Sequence, residues 1–232
     1  MHYFYCTKIG NPGEEAILDD REYTHLFRTL RMRPGEEIGV LNGRGITGIA
    51  VVAEGRRVVL QERRVIPPPE KQLTLFLAVP KKQKMDQLLK QLSEIGVSTL
   101  VPIRCEHSVV AIDEPKERWT TILLEGCKQS GNPFLPAVSE PMSLAQAVKF
   151  CQTADMDAYF GEVQGSEGLP NPCKKNLAWF VGPEGGFTIG EEQLMRDGNV
   201  RGVRIAEYVL RVETAAIAGA LLLLAAAKGI QS

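Results

Sequence analysis

A glycine-rich segment, Gly182-Pro183-Glu184-Gly185-Gly186, directly follows the apolar run Leu177-Ala178-Trp179-Phe180-Val181. Such a run is typical of a buried strand, and open α/β sheets bind ligands at the carboxyl ends of these strands. Glycines let the backbone approach a ligand closely and direct its amides at it. Glu184 adds a carboxylate that can face a cationic ligand or cap the following helix. A tight turn without a ligand is the alternative that this pattern leaves open.

Two common phosphate-binding loops do not match the glycine segment. A Walker loop requires Gly-Lys-Ser/Thr, which does not follow, and the dinucleotide pattern G-x-G-x-x-G is absent here. The segment therefore belongs to neither of these nucleotide-binding classes.

A second candidate segment, Leu210-Arg211-Val212-Glu213-Thr214, precedes a long apolar stretch. Either Thr214 or Glu213 is predicted to start a helix through Leu224, with its hydroxyl or carboxylate on the first free amides. That role leaves Arg211 unexplained. An arginine just before a buried helix is a candidate for gripping a phosphate or polarising a base.

A lysine cluster, Lys81-Lys82-Gln83-Lys84, follows the first strand of the second half of the chain. It suits contact with an RNA backbone, and it equally suits the solvated start of a helix. His25 and His107 are isolated in the sequence, which is more typical of surface or hydrogen-bonded structural histidines than of catalytic ones.

The composition is that of a globular protein of 232 residues, close to the length of two small domains. The net charge of -1 argues against a broad basic surface, so that RNA contact is expected from local clusters of Lys and Arg. The five cysteines are scattered without a C-x-x-C pair, which predicts neither a disulfide framework nor a zinc site. No metal is expected.

Neither a signal peptide nor a membrane span is predicted. The first residues, Met1-His2-Tyr3-Phe4-Tyr5, lack a basic region and an apolar core. The longest apolar run, Ala215 to Ala227, is shorter than the roughly 20 residues that a span requires and predicts a buried helix. We expect a soluble, cytoplasmic protein.

Three consecutive prolines in Ile66-Pro67-Pro68-Pro69 predict a domain boundary, because they continue neither a helix nor a central strand. Residues 1–69 and 70–232 are the predicted domains. The first contains a helical stretch from Arg21 to Met32 and then short strands separated by Asn-Gly and Glu-Gly turns, a pattern that favours a small antiparallel barrel or meander. Its predicted strands are Glu37 to Leu41, Ile46 to Val52 and Arg57 to Val65.

Strands and helices alternate in residues 70–232, which predicts an α/β domain with a mainly parallel sheet. Predicted strands are Leu73 to Val79, Val97 to Ile103, Asp157 to Phe160, Leu177 to Val181 and Val203 to Ile205. Predicted helices are Met85 to Ile95 with Gly96 as its cap, Glu114 to Ser130, and Glu191 to Asp197.

Taken together, these motifs resemble the bacterial family of small-subunit ribosomal RNA uridine N3-methyltransferases, within the SPOUT superfamily of knotted methyltransferases. The resemblance covers almost the whole chain, and its motifs occur in the family's order. They are His25-Leu26 through Leu30-Arg31 with Gly35 to Gly43, Lys81 with Met85-Asp86, Ser93 to Val97, Val101-Pro102-Ile103, Lys128-Gln129-Ser130 with Pro136, Gly182 to Phe187 with Glu191, and Leu210-Arg211 with Glu213-Thr214-Ala215.

The resemblance implies an N-terminal PUA-like RNA-binding β-barrel and a C-terminal α/β methyltransferase domain with a trefoil knot. It implies S-adenosyl-L-methionine as the cofactor, and a homodimer that buries part of the helix Ala215 to Ala227. The cofactor-binding residues carried over by position are Val181, Gly182, Pro183, Glu184, Gly185, Gly186, Ile205, Leu210 and Thr214.

The implied reaction is methylation of uridine N3 in RNA of the small ribosomal subunit. N3 is an imide nitrogen that must lose its proton before it attacks the methyl group, so the developing uracil anion needs stabilisation. The resemblance makes Arg211 the candidate for that cation, or for a phosphate clamp, and Glu213 the candidate proton acceptor. Arg28, Arg31, Lys81 and Lys84 are the predicted RNA contacts.

Three positions depart from the family pattern, each with a loss of positive charge: His2 with Tyr3, Asn132 and Tyr208. They concern RNA contact and leave the cofactor segment intact. Two alternatives therefore stay open: a related methyltransferase with another RNA target, and an RNA-binding or ribosome-assembly protein without catalysis.

Overall fold

The computed structural model describes residues 1–110, 112–166 and 171–229. The chain divides into two compact units. The first comprises residues 1–68 and 123–135, and the second comprises residues 69–122 and 136–232. The sequence alone does not predict that residues 123–135 group with the first unit.

A four-stranded mixed sheet forms the first unit, in the order β1-β2-β3-β4. Strand β1 is parallel to β2, and the other neighbours are antiparallel. Residues 13–16 add pairing at the far edge, since the Ala16 amide donates to the Val58 carbonyl at 2.8 Å. The strands are β1 Tyr3–Tyr5, β2 Glu37–Leu41, β3 Ile46–Ala53 and β4 Arg57–Val65.

The helical stretch predicted from Arg21 to Met32 is shorter in the structure. Helix α1, Asp20–Thr24, continues into a π-helical turn, His25–Thr29. The Asp19 side chain caps α1 by accepting from the Glu22 amide at 2.8 Å. The helical turns end before Pro34, because Arg31 takes a left-handed conformation with φ 54°.

A buried ion pair ties residues 123–135 to the rest of the first unit. Lys128 Nζ lies 2.6 Å from Glu22 Oε1, with side chains 8% and 5% exposed. The Tyr5 amide donates to the other oxygen of Glu22 at 3.3 Å. The paired and hydrogen-bonded carboxylate is thus satisfied inside the unit, as a buried charge requires.

Seven strands, all in parallel pairings, form the sheet of the second unit. The order is β11-β9-β10-β5-β6-β7, and β8 also pairs with β6. The strands are β5 Gln72–Ala78, β6 Thr99–Arg104, β7 Ala137–Val138, β8 Met142–Ser143, β9 Asp157–Ser166, β10 Asn176–Val181 and β11 Val200–Val203.

In the described residues after β5, the helices are α2 Lys82–Ile95, α3 Glu117–Ser130, α4 Leu144–Thr153, α5 Ile189–Asp197 and α6 Val212–Ala227. Helix α3 begins in the second unit, and its residues from 123 onward belong to the first. Gly96 ends α2 with φ 87°, as its position predicts. Helix α4 was not among the predicted elements. Its start carries a capping box between Ser143 and Gln146, a signal that the sequence does contain.

Two predictions near the candidate site are wrong. The strand predicted at Val203 to Ile205 lies at Val200–Val203, where Val200 is buried and pairs with Ala158 of β9. Glu184 does not cap the next helix. Thr188 is the N-cap of α5, and its hydroxyl accepts from the Glu191 amide in a reciprocal capping box.

Helix α6 packs closely against β10. Trp179 Nε1 donates to the Ala215 carbonyl at 3.0 Å. A Cβ atom on Gly219 would lie 1.9 Å from Trp179 Cε2, so only glycine permits this approach. The apolar run predicted as a buried helix therefore forms α6, and part of α6 is in close contact with β10.

Candidate active site

A cavity of about 520 Å³ opens at the carboxyl end of β10. Its size falls in the range of small-molecule sites, roughly 300–1,000 Å³. The walls come from the end of β10 and the segment after it, from the segment before α6 and the start of α6, from two residues of β9, and from one residue each of α2 and α5. The lining residues are Lys84, Gly161, Glu162, Trp179, Phe180, Val181, Gly182, Pro183, Glu184, Gly186, Phe187, Glu192, Ile205, Ala206, Tyr208, Val209, Leu210, Arg211, Val212 and Ala215.

The glycine segment after β10 forms one wall as a tight turn. The Gly186 amide donates to the Pro183 carbonyl at 2.9 Å, and Gly186 has φ 74°. A Cβ on Gly182 would stand 3.1 Å from the Phe187 ring, tighter than ordinary contact. These glycines keep the wall thin, so that a ligand can approach the backbone.

His107, which the sequence leaves without a predicted role, contacts this turn. Its Nδ1 lies 3.2 Å from the Gly186 carbonyl oxygen. The neighbouring Glu106 amide donates to Glu191 Oε1 at 2.8 Å. The same short segment thus contacts both the glycine turn and the first turn of α5.

The opposite wall is the segment between β11 and α6. Tyr208 and Val209 are large side chains that stay 76% and 81% exposed although they line the cavity. Helix α6 begins at Val212 with Arg211 as N-cap, and the Arg211 side chain makes no capping hydrogen bond. The prediction that Thr214 or Glu213 starts this helix is therefore wrong. The Arg211 side chain is exposed.

Carboxylates surround one end of the cavity. Glu162 is only 13% exposed and accepts from Arg196 Nη1 at 2.7 Å. Arg196 also donates to Glu192 at 3.1 Å and stacks over the Phe160 ring at 5.1 Å. One guanidinium thus serves two carboxylates, which leaves this end of the cavity suited to a cationic group.

Glu213 faces Lys84 beside the cavity, with Oε2 3.3 Å from Nζ. The Glu213 backbone amide is the main cause that lowers the pKa of this carboxyl below its ordinary 4.5, and Lys84 and Arg211 act in the same direction. Partial burial opposes them. Oε2 accepts no well-formed hydrogen bond from the described residues.

The predicted residues that the structure brings together around the cavity come from three separate segments. They are Lys84, Val181, Gly182, Pro183, Glu184, Gly186, Ile205, Leu210 and Arg211.

The other predicted site residues lie outside this lining. Gly185, Glu213 and Thr214 adjoin lining residues, Lys81 is the exposed N-cap of α2, and Arg28 and Arg31 belong to the first unit.

Several lining residues were not predicted, above all Trp179, Glu162, Glu192 and Tyr208. The strand signal of Leu177 to Val181 contains Trp179, but it does not say which side chain reaches the cavity. Glu162 lies in β9 and Glu192 lies in α5, with β10 between them in the sequence, and only folding brings them together. The sequence analysis singles out Tyr208 only because the family pattern has a positive charge at that position. Its aromatic ring is the signal that could have predicted a place in the cavity wall.

Among the described residues, no group of three or more His, Cys, Asp and Glu side chains could hold a metal ion. No helix within the described ranges is both long and apolar enough to cross a membrane.

Comparison with known proteins matches both parts of the chain. Residues 67–224 match the family described as "RNA methyltransferase domain", and residues 18–61 match "RNA methyltransferase PUA domain". A protein of Aquifex aeolicus, ribosomal RNA small subunit methyltransferase E, is 32% identical over 225 residues, covering 94% of this chain and 96% of that protein. The protein of the same name from Bacillus subtilis is 25% identical over 242 residues.

Among solved structures, a ribosomal RNA small subunit methyltransferase E from Neisseria gonorrhoeae, bound to S-adenosyl methionine, superposes with a TM-score of 0.83. It is 25% identical, and the match covers 95% of each chain. Fold and sequence therefore point to the same group of proteins.

Proposed function

Because the chain belongs to the family of small-subunit ribosomal RNA methyltransferases, we propose that it methylates N3 of a uridine in small-subunit ribosomal RNA with S-adenosylmethionine. The observation that carries the proposal is the cavity at the end of β10, where segments far apart in sequence meet. A cytoplasmic location follows from a ribosomal substrate.

The residues of the cavity fit S-adenosylmethionine. A ligand with a sulfonium and an ammonium group matches an end that carries Glu162 and Glu192, and its adenine ring matches the apolar walls. In the glycine segment that forms one wall, added Cβ atoms would take up space that the cofactor needs. Bound there, the cofactor supplies an electrophilic methyl group. The binding residues proposed are Val181, Gly182, Pro183, Glu184, Gly185, Gly186, Ile205, Leu210 and Thr214.

Arg211 is proposed as the catalytic cation. Its exposed side chain lies at the cavity wall, beside the start of α6, without an ion pair among the described residues. A guanidinium there can stabilise the negative charge that develops on the uracil when N3 loses its proton. Stabilisation of this anion lowers the barrier to the loss of the N3 proton.

Glu213 has two candidate roles. As a proton acceptor, it would take the N3 proton of uracil. The pKa of the Glu213 carboxyl is lowered, however. A base whose pKa lies far below the working pH accepts protons poorly. Its 3.3 Å approach to Lys84 supports the second role, in which Glu213 holds the lysine at the cavity.

RNA contact is proposed for Arg28, Arg31, Lys81 and Lys84. Lys84 lines the cavity, so it can reach a phosphate next to the target nucleotide. Lys81 is exposed at the start of α2, and Arg28 and Arg31 lie within the residues that match the PUA domain.

Three features of the wider assembly belong to the same proposal. The mixed sheet β1-β2-β3-β4, extended by residues 13–16 at the β4 edge, supports a PUA-like β-barrel. Two C-terminal segments, one after β10 and one before α6, meet around the cavity, which supports a SPOUT-type trefoil knot. Helix α6 is apolar on all sides but leaves Leu221 48% exposed, which supports packing against a second copy in a homodimer.

The decisive experiment uses purified protein, tritiated S-adenosylmethionine, and small and large ribosomal subunits from a strain that lacks the gene. We expect methyl transfer to the small subunit only, with 3-methyluridine as the product in a nuclease digest analysed by mass spectrometry. Another methylated nucleoside, or transfer to the large subunit, would support the related enzyme with another target. No heat of binding in calorimetry at high micromolar S-adenosylmethionine would support the non-catalytic alternative.

A further inference from the structure

The short turn after β6, residues 105–108, contacts the glycine segment that forms one wall of the large cavity. We call it the β6 turn. In the sheet, β5 lies between β6 and β10, and parallel strands bring the segments that follow them to the same edge. His107 Nδ1 lies 3.2 Å from the Gly186 carbonyl oxygen. His107 is not one of the residues that line the cavity, so its influence on a ligand there is exerted through the glycine segment.

Hydrogen bonds fix the β6 turn and attach it to α5. The Cys105 amide donates to Ser108 Oγ at 2.9 Å, and the Ser108 amide donates to the Cys105 carbonyl at 3.1 Å. The Glu106 amide donates to Glu191 Oε1 at 2.8 Å. The other carboxylate oxygen of Glu191 accepts from the Thr188 amide at 2.9 Å, within the capping box of α5. The β6 turn is thus a fixed support next to the glycine segment.

The glycine segment is exposed and contains residues that are costly to order. Glu184, Gly185 and Gly186 are all exposed. Glycine loses more backbone freedom on ordering than any other residue type. A ligand that has to order such a segment when it binds loses affinity, whereas a segment that is ordered beforehand does not impose this cost. A contact that orders the segment in the free protein therefore strengthens ligand binding.

The imidazole ring of His107 packs on Gly185 and also bonds to Gly186. A Cβ atom on Gly185 would lie 3.1 Å from His107 Cβ and 3.3 Å from Nδ1, so a side chain there would push the ring away. Because the Gly186 carbonyl oxygen can only accept, Nδ1 is the donor in this contact. A neutral ring with its proton on Nδ1 and a doubly protonated ring both provide this donor.

We propose that His107 is a positioning residue for S-adenosylmethionine binding. Its Nδ1 donates to the Gly186 carbonyl and keeps the glycine segment in the cofactor-binding conformation before the cofactor arrives. His107 itself does not touch the cofactor, and it contributes to affinity rather than to the chemical step. The inference rests on the proposed function because it takes this cavity as the cofactor site.

The variants His107→Asn and His107→Leu separate the donor from the bulk of the side chain. Asparagine places an amide group near the position of Nδ1 and can donate to Gly186, whereas leucine is of similar size and has no donor. Glu106→Gln is the matched control, since it changes the neighbouring exposed side chain and keeps the backbone amide that bonds to Glu191. Because the contact lies between exposed turns, all three variants should unfold within about 2 °C of the wild type.

Calorimetry without RNA should give a Kd for S-adenosylmethionine that is about five- to tenfold weaker in His107→Leu, the effect of one lost hydrogen bond. His107→Asn and Glu106→Gln should stay within about twofold of the wild type, since both keep the donor to Gly186. In the methyl-transfer assay, the KM for the cofactor should rise in His107→Leu by the same factor. Its kcat should change by less than about twofold, because saturating cofactor orders the segment.

Amide hydrogen exchange of residues 182–188, followed by mass spectrometry, measures the order of the glycine segment directly. Without cofactor, exchange should be faster in His107→Leu than in the wild type and in His107→Asn. Saturating cofactor should remove this difference.

Wild-type affinity or wild-type exchange in His107→Leu would overturn the proposal. An equal loss of affinity in His107→Asn would assign the effect to the bulk of the ring and overturn the role of the donor. A fall in kcat at unchanged KM would contradict positioning before binding. The exchange comparison requires neither RNA nor cofactor. The expected differences in a protein that methylates no ribosomal RNA would contradict the proposed function alone.

Discussion

Arg211 and Glu213 stand two positions apart at the start of α6, yet their surroundings differ. Arg211 is exposed at the cavity wall. Glu213 turns to Lys84, and its pKa is lowered chiefly by its own backbone amide. The Glu213 carboxyl is therefore ionised at neutral pH. Its lowered pKa leaves little driving force for accepting the N3 proton of uracil.

Replacing Arg211 with Ala should lower kcat by about a hundredfold, the effect of removing one donor that stabilises a developing anion. The affinity for S-adenosylmethionine, measured by calorimetry, should change less than about threefold, because the arginine acts on the uracil. Arg201→Ala is the matched control, since Arg201 lies on β11 with its Nη2 3.9 Å from Asp157. Wild-type turnover by Arg211→Ala would remove this role.

Replacing Glu213 with Gln distinguishes its two roles. Loss of a general base costs about 10²–10⁴-fold in rate, whereas loss of a residue that only holds Lys84 should cost less than about tenfold. We expect the smaller effect, and Lys84→Met should reproduce it. A fall in kcat of about a hundredfold or more in Glu213→Gln, without the same fall in Lys84→Met, would identify Glu213 as the base after all.

At the scale of elements, α6 and β10 form the contact on which the cavity depends. Gly219 lets the helix approach the Trp179 ring, and the same ring lines the cavity. A change in the contact between Gly219 and Trp179 would therefore also move a side chain of the cavity wall.

Gly219→Ala should destabilise the protein by about 3 kcal/mol or more, because overpacking of a tight interior forces side chains and backbone to move. The added Cβ would meet three ring atoms of Trp179 at 1.9 to 2.3 Å. Thermal unfolding measures the effect, and cofactor affinity should fall with it. Gly190→Ala in α5 is the control. Its nearest neighbour is 4.0 Å away, so helix propensity should make it neutral or stabilising.

Local signals account for the elements that the sequence predicts well. Strands β2 and β4 lie at the predicted residues, since turn signals border them on both sides. Strand β11 was misplaced because Val200–Val203 alternates with Arg201 and carries no long apolar run. The segment 205–211 was assigned to the cavity only through a family resemblance. No local pattern shows that it returns to the glycine turn.

At the scale of the whole molecule, two buried thiols and one half-buried thiol couple stability to alkaline pH. Burial raises the pKa of Cys6, Cys105 and Cys151 from 9.0 to about 12. Above pH 9 the unfolded chain loses these protons while the folded chain retains them, so stability falls as pH rises towards 12. Below pH 9 the thiols contribute their full stabilisation.

The urea midpoint should therefore decrease between pH 9 and 10.5, by up to about 1.4 kcal/mol of unfolding free energy per pH unit and thiol. Cys151→Ala should reduce this slope, whatever it does to stability at neutral pH. Cys173→Ala, at an exposed thiol, should leave the slope as in the wild type. Equal slopes for all three proteins would contradict the pKa shift of Cys151.

The buried pair of Lys128 and Glu22 joins residues 106 positions apart within the first unit. During synthesis, the first 68 residues leave the ribosome long before Lys128 exists. A nascent chain of that length lacks the cation that neutralises the Glu22 carboxylate, so it cannot bury this group as a pair. The segment 123–135 is thus needed to complete a unit whose other residues are all made first. The N-terminal unit should finish folding only after translation has passed residue 135.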